Sequence, residues 1–108
     1  MLPIKKPEKS FLKMNNNKLN LLGLAQAASK LVSGTETVMK TVQQETAILV
    51  VMATDVSEQT KKNIENKCAF YEVECVQMFT TEEISIALGK KRSIVAFLDR
   101  GFVKSFKK

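Results

Sequence analysis

The 108 residues carry 17 Lys+Arg against 11 Asp+Glu, a formal net charge of +6, and 44% hydrophobic residues. That length holds one domain with a modest core, and that apolar content excludes a disordered chain. The basic balance favours a polyanionic partner, and no apolar run approaches the roughly 18 residues a membrane-spanning helix needs.

Residues 1–17 hold two prolines, an Asn triplet and scattered lysines without periodicity, and read as a loose basic arm preceding a domain over 18–108. The opening "MLPIKKPEKSFLK" lacks the continuous apolar segment of a signal peptide, so a cytoplasmic protein is expected. Met14 is an alternative start, which would make the first thirteen residues an extension. From Leu19 to Lys30, Leu21, Leu22, Leu24, Ala25 and Ala28 recur at helical spacing. "LVS" at 31–33 predicts a short strand, and Thr35 to about Gln43 a helix with Val38 and Val42 on its inner face. "AILVVMA", 47–53, is a strand buried on both faces. Asp55-Val56-Ser57-Glu58 fits a capping box with Asp55 as N-cap, opening a helix whose apolar stripe holds Ile64 and Cys68. "VECVQMF", 73–79, alternates as a strand. Thr80-Thr81-Glu82-Glu83 is a second capping box before a helix through Ile84, Ala87 and Leu88, with Gly89 as C-cap. "SIVAFL", 93–98, is another doubly buried strand, and "DRGFVKSFKK" closes the chain as a helix with a basic end. Strands alternating with helices predict an α/β fold, a three-layer sandwich with helices on both faces of a mixed four-stranded sheet.

The chemistry is narrowed by what is missing. Without histidine there is no Ser-His or Cys-His dyad, no imidazole acid/base and no histidine metal ligand. Cys68 and Cys75 have neither redox nor zinc spacing and read as buried reduced thiols. No dinucleotide or P-loop glycine motif is present. Glu82 and Glu83 are adjacent, so they diverge on a helix and cannot act as an acid/base pair. An enzyme is not expected, nor a cofactor, a metal or a small-molecule substrate.

Two glycine-containing turns remain. In "LVSGTETVMK" a strand stops at Gly34 and a helix begins at once. This is either a plain connection or a turn presenting backbone N–H groups, hydroxyls and Lys40 to an anion such as an RNA backbone. In "GKKRS", 89–93, Lys90, Lys91 and Arg92 are concentrated, although a charge run is often only a solvated loop.

The blocks "LLGLAQAASKLVSGTETVMK", "AILVVMATDVSEQTKK" and "LGKKRSIVAFLDRGF" occur in an order and spacing that resembles the kink-turn-binding ribosomal protein superfamily (the L-seven-Ae and L-thirty-e group), and within it the small bacterial members of the YlxQ type. The resemblance covers about residues 19–106. It implies a noncatalytic RNA-binding protein that captures a kink-turn or similar bent, internally looped RNA, with ribosomal RNA among the candidates. By the same resemblance Gly34 lets RNA approach the backbone, and Thr35, Glu36 and Thr37 meet tandem G·A pairs. Lys40 and Lys30 neutralise phosphates, and Lys90, Lys91 and Arg92 flank the bulge. Glu36 and Thr37 depart from the Asn-Glu pair of better-known relatives: a carboxylate only accepts hydrogen bonds, where an amide both donates and accepts. A protein-interaction module that keeps the fold and has lost specific RNA binding is the rival expectation.

Overall fold

The computed structural model describes residues 17–108. Of the basic arm expected over 1–17, residues 1–16 lie outside the described residues, and Asn17 already belongs to the first helix. That helix, α1, covers 17–27. It is followed by β1 (Leu31–Ser33), α2 (Thr35–Gln43), β2 (Leu49–Met52), α3 (Glu58–Phe70), β3 (Glu74–Gln77), α4 (Thr81–Leu88), β4 (Ile94–Phe97) and α5 (Arg100–Phe106).

The strands form one mixed sheet in the order β1-β4-β2-β3. β2 and β3 are parallel and joined through α3, whereas β4 is antiparallel to both of its neighbours. The central pair is apolar throughout because both its faces are covered: every residue of β2 and β4 is buried. Alternation along each strand then divides the core into two layers. Leu49, Val51, Val95 and Phe97 face α1, α4 and α5, against Leu22, Ile84, Leu88, Val103 and Phe106. Val50, Met52, Ile94 and Ala96 face α2 and α3, against Val38, Val42, Ile64 and Cys68. Each fully buried aliphatic or Phe side chain contributes about 1.5–3 kcal/mol relative to exposure. The expected three-layer sandwich is therefore present.

Two local expectations change. The N-cap of α3 is Ser57, whose Oγ accepts from the Thr60 N–H, and not Asp55. Asp55 instead accepts from both the N–H and the Oγ1 of Thr81, at 3.0 and 2.7 Å, tying the β2–α3 connection to the start of α4. The ladder of β2 also begins later than its apolar run, because the Ala47 N–H is taken by the Thr41 carbonyl as α2 closes. The second capping box holds: Thr80 and Glu83 bond reciprocally, and Gly89 ends α4 in the left-handed region.

Candidate nucleic-acid interface

The chain enters α2 through Gly34, at φ 97° and ψ 140°, a conformation that L-side chains rarely adopt. No side chain caps this helix, whereas Ser57, Thr80 and Asp99 cap α3, α4 and α5. The first N–H groups of a helix have no intrahelical partner. At α2 they therefore open to solvent beside the exposed side chains of Thr35, Glu36 and Thr37. Lys40 is exposed further along the same helix.

The 89–93 loop reaches the same place because β1 and β4 are neighbours. The Gly34 N–H donates to the Ile94 carbonyl at 2.9 Å, so one turn begins where the other ends. Arg92 joins them. Its Nε donates to Ser33 Oγ at 3.1 Å, and a Cβ placed on Gly34 would stand 3.6 Å from that same nitrogen. Arg92 is itself fixed by Ser85, whose Oγ accepts from the Arg92 N–H at 3.0 Å and donates to the Arg92 carbonyl at 3.1 Å. The N–H groups of Gly89 and Lys90 both return to the Ser85 carbonyl. Lys90 and Lys91 remain exposed.

Gly34, Thr35, Glu36, Thr37, Lys90, Lys91 and Arg92 thus gather at one end of the β1–β4 half of the sheet, with Lys40 on the helix that starts there. Lys30 does not join them. It precedes β1, its carbonyl accepting from Leu98, about 13 Å from Gly34 at roughly 3.3 Å per strand residue. Two residues that hold this neighbourhood together carried no charge to mark them in the sequence: Ser33 and Ser85. Ile86 is 74% exposed on α4, out of phase with the buried Ile84 and Leu88, and that broken periodicity is its only signal.

The other half of this sheet end carries carboxylates. Asp55 and Thr81 lie past β2 and β3, and Glu82 and Glu83 occupy the first turn of α4. The hydroxyl and backbone N–H of Thr81 hold the Asp55 carboxyl below its ordinary value of 3.8. Lys61 and Lys62 stand on this half beside Glu58 in α3, whereas the three adjacent cations of the 89–93 loop lie on the β1–β4 side, the side of the uncapped helix. The two cysteines stand apart from it. The neighbouring Cys68 thiol, together with burial, raises the Cys75 pKa well above the usual thiol range. Among the described residues, no group of three or more His, Cys, Asp or Glu side chains is placed to hold a metal, and no helix is long and apolar enough to cross a membrane.

Known proteins resemble this chain in sequence and in fold. Over 89 residues the chain is 40% identical to the RNA-binding protein YlxQ of Enterococcus faecium, covering 82% of this chain and 86% of that protein. It is 37% identical over 83 residues to the RNA-binding protein YlxQ of Bacillus subtilis (strain 168), covering 76% and 83%. A solved structure of a Bacillus halodurans protein of unknown function superposes with a TM-score of 0.79 at 33% identity, over 83% of this chain and 92% of that one. The Giardia lamblia 15.5kD RNA binding protein shares the fold, with a TM-score of 0.72 at 16% identity over 87% and 84%. The family model for Ribosomal protein L7Ae/L30e/S12e/Gadd45 matches residues 17–107. By fold, by sequence and over nearly all its described length, the chain belongs to the L7Ae/L30e/S12e/Gadd45 family.

Proposed function

We propose that this protein binds RNA without catalysing a reaction, and that its target is a kink-turn or a similarly bent, internally looped RNA. The observation that carries the reading is the union of the two turns through Arg92, which sets an uncapped helix N-terminus and three adjacent cations on one surface. The α2 N–H groups, together with Lys40, Lys90 and Lys91, face phosphates. Thr35, Glu36 and Thr37 meet base edges, with Glu36 accepting from an exocyclic amino group such as that of guanine. Ile86 offers an apolar surface to a base turned out of the stack. Two relatives named as RNA-binding proteins, each matched over most of its length, support the ligand class.

The test compares a kink-turn duplex with an unkinked duplex of equal length across a salt series. Preference for the kinked RNA is expected, with log K falling against log salt at a slope of roughly −3 to −5 for a handful of phosphates, at about −0.9 each. Equal affinity for both RNAs at physiological salt would refute shape capture and leave only basic attraction.

A further inference from the structure

α2 and α3 both start at the sheet end that carries the two turns, and they pack side by side over Val38, Val42, Ile64 and Cys68. Between their outer faces runs an open groove of about 420 Å³, lined by Met39, Asn63, Asn66, Lys67, Phe70 and Tyr71. Phe70 is 77% exposed. Its ring meets that of Tyr71 in a T-shaped contact, with centroids 4.9 Å apart at 78°. Gln59, Asn63, Asn66 and Phe70 recur at steps of four, three and four, so three carboxamides and an aromatic ring form one stripe of α3.

Among the described residues, no carboxylate lines the groove itself. Lys67 lies on the groove and Lys62 flanks it. The carboxylates of α3, Glu58 and Glu65, start roughly 140–160° around the helix from Asn63 at 100° per residue, and Glu58 lines the adjoining amino-terminal pocket with Gln59, Lys62, Asn63 and Asn66. Carboxamides both donate and accept, as base edges require, and an exposed ring held by its aromatic neighbour offers a surface on which a base stacks. Met39 stands five residues beyond Gly34, about 7.5 Å along α2, so a strand leaving the first turn past Lys40 reaches the groove directly.

We propose that the α2–α3 groove is a second RNA contact, holding an unpaired strand that flanks the primary site. Phe70 stacks a base, Asn63 and Asn66 bond its edges, and Lys67 and Lys62 meet its phosphates. The proposal rests on RNA being the ligand class and not on the kink-turn reading.

The probes are a kink-turn duplex and a straight duplex, each blunt or carrying a short unpaired oligouridine tail at its 5′ or 3′ end. The parent should bind one tailed form at least about fivefold more tightly than the blunt one, the low end for a stacked base. Phe70→Ala should abolish that gain and leave blunt affinity unchanged, whereas Phe70→Tyr should keep it. A 4-thiouridine in the tail should crosslink to the α3 peptide containing Phe70. A tail that adds nothing at either end, or a gain that survives Phe70→Ala, overturns the proposal. So does sedimentation of the parent as a dimer that Phe70→Ala dissociates, which would make the groove a contact between two copies. Should kinked and straight blunt duplexes bind equally, shape capture fails, while the tail comparison on the straight duplex still reads the groove.

Discussion

The Nε of Arg92 donates to Ser33 Oγ at 3.1 Å, joining residues 59 apart in sequence. This bond turns two separate loops into one surface while the remaining guanidinium nitrogens stay near solvent, one of them held by the Lys91 carbonyl at 2.8 Å. Arg92→Ala should therefore weaken kink-turn binding by about 1.5–3 kcal/mol, the scale of hydrogen bonds to a charged group. Lys91→Ala should instead lower the salt slope by about one, as a phosphate contact does. Anisotropy titrations at several salt concentrations separate the two effects. Parent-like binding by Arg92→Ala would show that the turns do not act together.

Gly34 supplies the second prediction. A Cβ there meets only ordinary contacts, the nearest at 3.6 Å, so any cost of Gly34→Ala comes from the backbone conformation and not from collision. Destabilisation of about 1–3 kcal/mol is expected. It should appear as a lower urea midpoint with an unchanged m value. Affinity for kinked RNA should also fall in the folded variant, because the methyl group occupies the face where the backbone is approached.

Glu36 and Lys40 test the chemistry of the α2 face. Glu36→Asn removes an acceptor-only group and one negative charge, and should bind a kink-turn at least as tightly as the parent. Lys40→Ala should weaken binding by about 1 kcal/mol or more. Both side chains are exposed, so circular dichroism spectra should match the parent. If both variants bind as the parent does, the α2 turn is only a connection, and the basic loop or another surface carries the partner.

Asp55 gives a pH dependence. Its carboxyl titrates below 3.8 in the folded state because Thr81 donates to the charged form. Its contribution is therefore complete above that value and is lost as pH falls through the depressed native value. The melting temperature of the parent should drop more steeply below about pH 4 than that of Asp55→Asn, with no such divergence in slope near neutrality. Parallel melting curves down to the acid limit would show that the Asp55–Thr81 contact is not formed in solution.

The layers were legible where chemistry is local. β2 and β4 announce themselves as continuous apolar runs, and the Thr80–Glu83 box and Gly89 cap are complete within ten residues. Partnerships across the fold were not. Asp55 and Ser57 both suit an N-cap, and what removes Asp55 is a threonine 26 residues away. Ser33 and Ser85 hold Arg92 by single hydroxyls, which no sequence pattern separates from solvent-facing serines. Three helix ends also lack a glycine signal, since Ser29, Glu45 and Glu72 adopt positive φ of 57–61° themselves. Lys30 shows the limit of proximity in sequence: four residues from Gly34, it stands at the opposite end of the strand.

The winding of the 89–92 turn around Ser85 has a consequence for how such a protein tells one ligand from another. With Gly89, Lys90 and Arg92 all bonded to a single serine, only the side chains of Lys90 and Lys91 are free to adapt. Such a loop has little conformational freedom left to lose on contact, so its ordering adds little to the cost of association. It also cannot reshape itself to follow a differently curved partner. On the function proposed above, the deformation falls to the other molecule, and discrimination rests on how cheaply a given RNA bends to match the loop.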